Sequence, residues 1–136
     1  MKKIFLLSAF LFANTLFANL NVVTTTEDLA SIVKAIGKNN VSVSAIVTGA
    51  RDPHRIEARP SFMQRVRNAN LFIAIGLDLE IGWERAVIDG SGNSRVRPGS
   101  RGHLYASTNV PVLEKPTEAV TRAMGDVHPH GNPHIW

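Results

Sequence analysis

Two tripeptides of one pattern stand 80 residues apart in this chain, Asp52-Pro53-His54 and Asn132-Pro133-His134. Neutral imidazole is the commonest nitrogen ligand for divalent transition metals. A proline ahead of the histidine stiffens the loop, so less ordering entropy is lost when the ring binds a cation. The Asp or Asn side chain two residues earlier can fold an Asx-type turn and aim the ring. Either copy alone reads as a surface histidine in a turn; the repetition sharpens the metal-ligand reading. Three of the five histidines crowd into "GDVHPHGNPHIW" (Gly125–Trp136). His128 and His130, divided by Pro129, read as loop structure before they read as ligands. His103, inside an Arg/Gly-rich stretch, reads as solvated. Glu57 lies three residues from His54, but the pair lacks the HExxH arrangement that sets a general base beside a helical metal site. No catalytic residue and no enzyme activity are expected.

These histidines need elements to hold them. "NLNVVTTT" (Asn19–Thr26) is a β-branched run that predicts a first strand. Leu29, Ile32, Val33 and Ile36 follow at helical spacing, with Thr25 and Asp28 as a capping box and Gly37 as the stop. "VSVSAIV" (Val41–Val47) predicts a second strand and "TGARDPHRIEARP" a loop. Ser61 is expected to cap a short helix, "FMQRVRNA". "NLFIAIG" (Asn70–Gly76) predicts a third strand, buried on both faces, and "LEIGWERAVIDG" a third helix ending at Gly90. One or two short extended segments are expected in "HLYASTNVPVLEKP". Strands alternating with helices of this length predict an α/β fold, an open parallel sheet with flanking helices. Ligands of such folds sit outside the carboxyl ends of the strands. His54, after the second strand, is in that position.

The chain has 136 residues, 44% of them hydrophobic and 19% charged, which supports one folded domain rather than disorder. Its first residues have the layout of a secretory signal peptide: Lys2 and Lys3, then the apolar run "IFLLSAFLFA", then Ala18 as a cleavage point. Ten apolar residues are too few to cross a bilayer. Residues 1–18 are therefore set aside as a leader and 19–136 taken as the mature chain. The formal charge then falls from +4 to +2, since two of the 15 basic residues go and all 11 acidic ones stay. Arg95, Arg97 and Arg101 cluster among glycines without interleaved aromatics, so a solvated loop is expected and no nucleic-acid partner. With no cysteine, a lipid-bearing N-terminal Cys is not available, and the expectation favours a soluble periplasmic protein.

"DPHRIEARPS", "NANLFIAIGLDLEIGW", "SGN" and "GDVHPHGNPHIW", in that order, resemble the metal-binding substrate-binding proteins of bacterial zinc and manganese ABC importers. That group also includes adhesin-like proteins. The resemblance implies that His54 and His134 are the two metal-ligating histidines of an N-terminal lobe. It implies structural packing for Glu80 and Trp83, whose "LEIGW" is similar to the LExW segment of the family with one more residue before the Trp. It further implies a second lobe, absent from this sequence, that supplies another His and a carboxylate across a cleft. The expected function is periplasmic capture of Zn2+ or Mn2+ by a monomer and delivery to a permease in the inner membrane. Zinc is favoured because two nitrogen ligands suit it, and manganese remains open. Two histidines satisfy neither ion alone, so weak binding by this lobe is expected. An exported adhesin of the same fold is the alternative. Ile56 departs from the family, which usually has an aromatic two residues after the first ligand.

Overall fold

The computed structural model describes residues 19–125 and 127–135; the expected leader, residues 1–18, lies outside them. Four strands form one all-parallel sheet: β1 (Leu20–Thr24), β2 (Val41–Ala45), β3 (Leu71–Ala74) and β4 (His103–Tyr105). Their order across the sheet is β2-β1-β3-β4. Three helices connect them: α1 (Glu27–Gly37), α2 (Pro60–Arg67) and α3 (Glu84–Ser91). The period-2 alternation of the strands divides the core between the two faces of the sheet. Val22 and Ile73 face Leu29 and the partly buried Val33 of α1. Val23, Phe72 and Ala74 face Phe62 and Val66 of α2 and Val87 and Ile88 of α3. The expected α/β fold, an open parallel sheet with flanking helices, is therefore the observed one. Ladder bonding continues past the ends of the strands: the Ile46 and Val47 N–H groups donate to Thr24 and Thr25 carbonyls at 2.9 Å each. All the loops that leave the carboxyl ends of β1, β2 and β3 consequently start from a rigid edge.

Local details differ from expectation for identifiable reasons. The N-cap of α1 is Thr26, whose side chain accepts from Leu29 N–H at 3.5 Å. Thr25, the expected cap, instead donates its hydroxyl to Glu80 at 2.6 Å. Ser61 does not cap α2; Pro60 takes the first helical position, where its missing N–H costs nothing. The third helix begins at Glu84 rather than Leu79, because the preceding residues turn back on themselves as a separate loop. His103 is not solvated. It lies on β4 with its side chain 1% exposed, stacked on Phe72 and placed 2.9 Å from Glu84 Oε1. Arg95, Arg97 and Arg101 are exposed, as expected of a solvated loop.

Candidate metal centre

The loop after β2 carries His54. Asp52 Oδ1 accepts from His54 N–H at 2.9 Å, closing the Asx turn, and also lies 2.7 Å from His54 Nδ1. These contacts, the backbone one first, hold the Asp52 carboxyl below its usual range. An ionised carboxylate only accepts, so the proton of a neutral His54 ring sits on Nδ1 and the lone pair on Nε2. The turn is fastened from beneath by Trp83, 1% exposed, whose Nε1 donates to the Pro53 carbonyl at 2.8 Å. Glu80, also 1% exposed, anchors the neighbouring loop. Its Oε1 accepts from Thr25 hydroxyl and Ile75 N–H (2.8 Å), and its Oε2 from Gly76 N–H at 3.1 Å. That carboxylate fastens the start of a run of three successive residues of positive φ, Gly76 (84°), Leu77 (55°) and Asp78 (68°). Left-handed backbone at two non-glycine residues stores strain that the surroundings must hold. Burial pushes the Glu80 carboxyl upward, outweighing the three hydrogen bonds that favour its charged form. Trp83 thus supports the histidine loop directly, and Glu80 holds the loop beside it.

The second half of the centre comes from the end of the chain. Asn132 Oδ1 accepts from His134 N–H at 2.9 Å, the same Asx turn as at Asp52. Asn132 is fixed in turn by its N–H to the Leu113 carbonyl (2.9 Å) and its amide to Glu114 (2.8 Å). Ile135, the residue after His134, packs against the α1-side core. Immediately upstream, Gly131 N–H donates to the His128 carbonyl at 3.1 Å, closing a turn with Pro129 at its second position. The two turns are consecutive, and they bring both rings to His54.

The ring centroids of His54 and His134 are 6.0 Å apart, and those of His54 and His128 are 4.9 Å apart. One ring nitrogen of each of His54, His128 and His134 lies within 4.8 Å of the other two. His54 Nε2 and His128 Nε2 approach to 3.0 Å. The two histidines picked out by the sequence are brought together, and His128, read there as loop structure, joins them. Its signal was present: a His followed by Pro-x-Gly begins a tight turn, and here that turn runs straight into Asn-Pro-His. His130 is not in the group; it is exposed and faces Asp78 at 3.6 Å. A cleft of about 210 Å³ opens beside the cluster, lined by His54, His128, Asp78, Leu79 and Ile81. A cation there would meet imidazole nitrogen on one side and an open space on the other.

A family model described as zinc-uptake complex component A, periplasmic, matches residues 22–136. A metal ABC transporter substrate-binding lipoprotein of Lactococcus lactis is 38% identical over 63 residues, 46% of this chain and 20% of that protein. A manganese ABC transporter substrate-binding lipoprotein of Streptococcus gordonii is 34% identical over 65 residues, 48% of this chain and 21% of that one. Among solved structures, ZnuA superposes with a TM-score of 0.63 at 23% identity, covering 86% of this chain and 39% of that chain. The Mn-bound periplasmic metal binding protein of Candidatus Liberibacter asiaticus gives a TM-score of 0.63 at 20% identity, covering 86% and 38%. The structural likeness is one of fold, and it spans most of this chain but less than two-fifths of either solved chain. From first strand to last residue, over a lobe whose histidines converge at the sheet edge, the chain belongs to the family of periplasmic zinc-uptake complex component A.

Proposed function

We propose that this chain forms the metal-holding lobe of the solute-binding component of an ABC importer. In this reading it captures a divalent transition metal, zinc or manganese, in the periplasm and passes it to a permease in the inner membrane. One observation carries the reading: His54 and His134, 80 residues apart in sequence, lie with ring centroids 6.0 Å apart at the carboxyl edge of a parallel sheet. The names of the relatives support an importer role. The chemistry is capture and release, with no bond of a substrate made or broken. Imidazoles replace part of the ion's hydration shell, and the Asp52 carboxylate orients the His54 ring and fixes its tautomer through its hydrogen bond. Remaining coordination positions face the cleft, where a second wall would supply further donors. Closing that wall would bury the ion, and opening it at the permease would release it.

Calorimetric titration of the 136-residue chain with Zn2+ tests the proposal. His54→Ala and His134→Ala should each weaken binding by more than the roughly 10–100-fold typical of changes behind the ligands. Tight zinc binding that survives both substitutions together would refute it.

A further inference from the structure

We propose that His128 is a third ligand from this same lobe, and that it biases the site toward zinc over manganese. The inference rests on the metal-capture reading above and adds to it a residue, a coordination number and a preference.

The geometry supports it first. Two nitrogens bound to one tetrahedral zinc at about 2.0–2.1 Å must lie about 3.3 Å from each other. His54 Nε2 and His128 Nε2 are 3.0 Å apart, so a shift of a few tenths of an ångström suffices. The third nitrogen, from His134, is within 4.8 Å of both. Proton placement supports it next. Asp52 holds the His54 proton on Nδ1, which leaves the His54 Nε2 lone pair aimed at His128. With the His54 proton on Nδ1, the 3.0 Å contact is closed by a proton on His128 Nε2. A cation would take that proton's place once the His128 proton sits on Nδ1 instead, and both lone pairs would then face the ion.

Local structure then keeps His128 there. Its turn is closed by Gly131, whose φ is +97° and whose added Cβ would lie 2.7 Å from the Leu113 carbonyl oxygen. Half-buried against the cleft, His128 has the exposure of His54 rather than that of its neighbour His130. Three imidazoles plus one further donor complete a tetrahedral zinc site. Manganese is better served by carboxylate, carbonyl and water oxygens, so a nitrogen added to the lobe gains it little.

The test is a titration of the 136-residue chain, and of His128→Ala and His128→Gln, with Zn2+ and separately with Mn2+. Long-range 1H–15N spectra of the histidine rings should be followed on the unaltered chain as Zn2+ is added. Expected are an affinity for zinc at least tenfold weaker in both variants, manganese affinity within twofold, and a shift of the His128 Nε2 resonance together with that of His54. Circular dichroism checks that the variants fold, and the spectra need no variant at all. If His54→Ala and His134→Ala abolish zinc binding while His128 changes nothing and its resonance stays put, the inference fails and metal capture stands. If none of the three substitutions matters, both fail.

Discussion

Asp52 and Asn132 occupy matching places ahead of their histidines, and both close an Asx turn on the histidine N–H at 2.9 Å. Asp52 then reaches the ring of His54, whereas Asn132 turns its amide to Glu114. Replacing Asp52 by Ala removes both the turn and the ring contact, and zinc affinity should fall by about 10–100-fold. Asp52→Asn keeps an oxygen for both bonds and should lose clearly less; titration of the two variants side by side checks this. Glu80 gives a second prediction at this scale. Burial raises its folded pKa above the ordinary 4.5. The fold therefore binds the Glu80 proton better than the unfolded chain does. The stability this supplies is complete below about 4.5 and is lost as pH rises through the elevated folded value. Glu80→Gln carries no such titration, so the native chain should lose stability relative to it between pH 4.5 and neutrality. Urea unfolding of both across that range measures the difference; parallel curves would contradict it.

Among the elements, the strands and the two histidine loops were legible because their signals are local. β-branched alternation marks the strands, and Asx-Pro-His needs only its own three residues. What was not legible depends on partners distant in sequence. Thr25 fails to cap α1 because its hydroxyl is taken by a carboxylate 55 residues on. His103 sits among glycines and arginines that read as a loop, yet Glu84 and Phe72 draw its ring into the interior. Tyr105, two residues on, is pushed up to about 12 by burial first and by Glu84 second, part of the same polar seam. The place of His128 depends on two consecutive turns, and neither turn alone carries it to His54. The element prediction follows from Gly131. An alanine there meets Val112 Cγ1 at 2.5 Å and the Leu113 carbonyl at 2.7 Å, at a φ of +97° that side chains resist. About 1–3 kcal/mol of strain is expected, spent in loosening the terminal turns. Gly131→Ala should weaken zinc binding, and faster hydrogen exchange at Asn132 and His134 than in the sheet would locate the damage.

For the whole molecule, the sheet and its helices form the core, while residues 106–125 and 127–135 carry one short 3-10 turn and no strand or α-helix, with Ala106 and Ile135 packed against that core. Zinc should therefore act as a stabiliser of the folded chain. Binding to the native state alone adds about 2.7 kcal/mol when free ion is at 100 times its Kd. A thermal unfolding midpoint that climbs with zinc, and stops climbing in His54→Ala with His134→Ala, is the expected result.

The consecutive turns of "HPHGNPH" have a consequence for how the empty and loaded states differ. On the proposed ligand set, an ion ties the loop after β2 to a segment 74 to 80 residues later. That is the span over which a disulfide would restrict the unfolded chain, and this chain contains no cysteine. The cargo would then serve as a cross-link that is surrendered on delivery. On that proposal, a lobe that had handed over its ion would slacken along the very rim where it held it, and occupancy would be written into the mechanical state of the surface a transporter would touch.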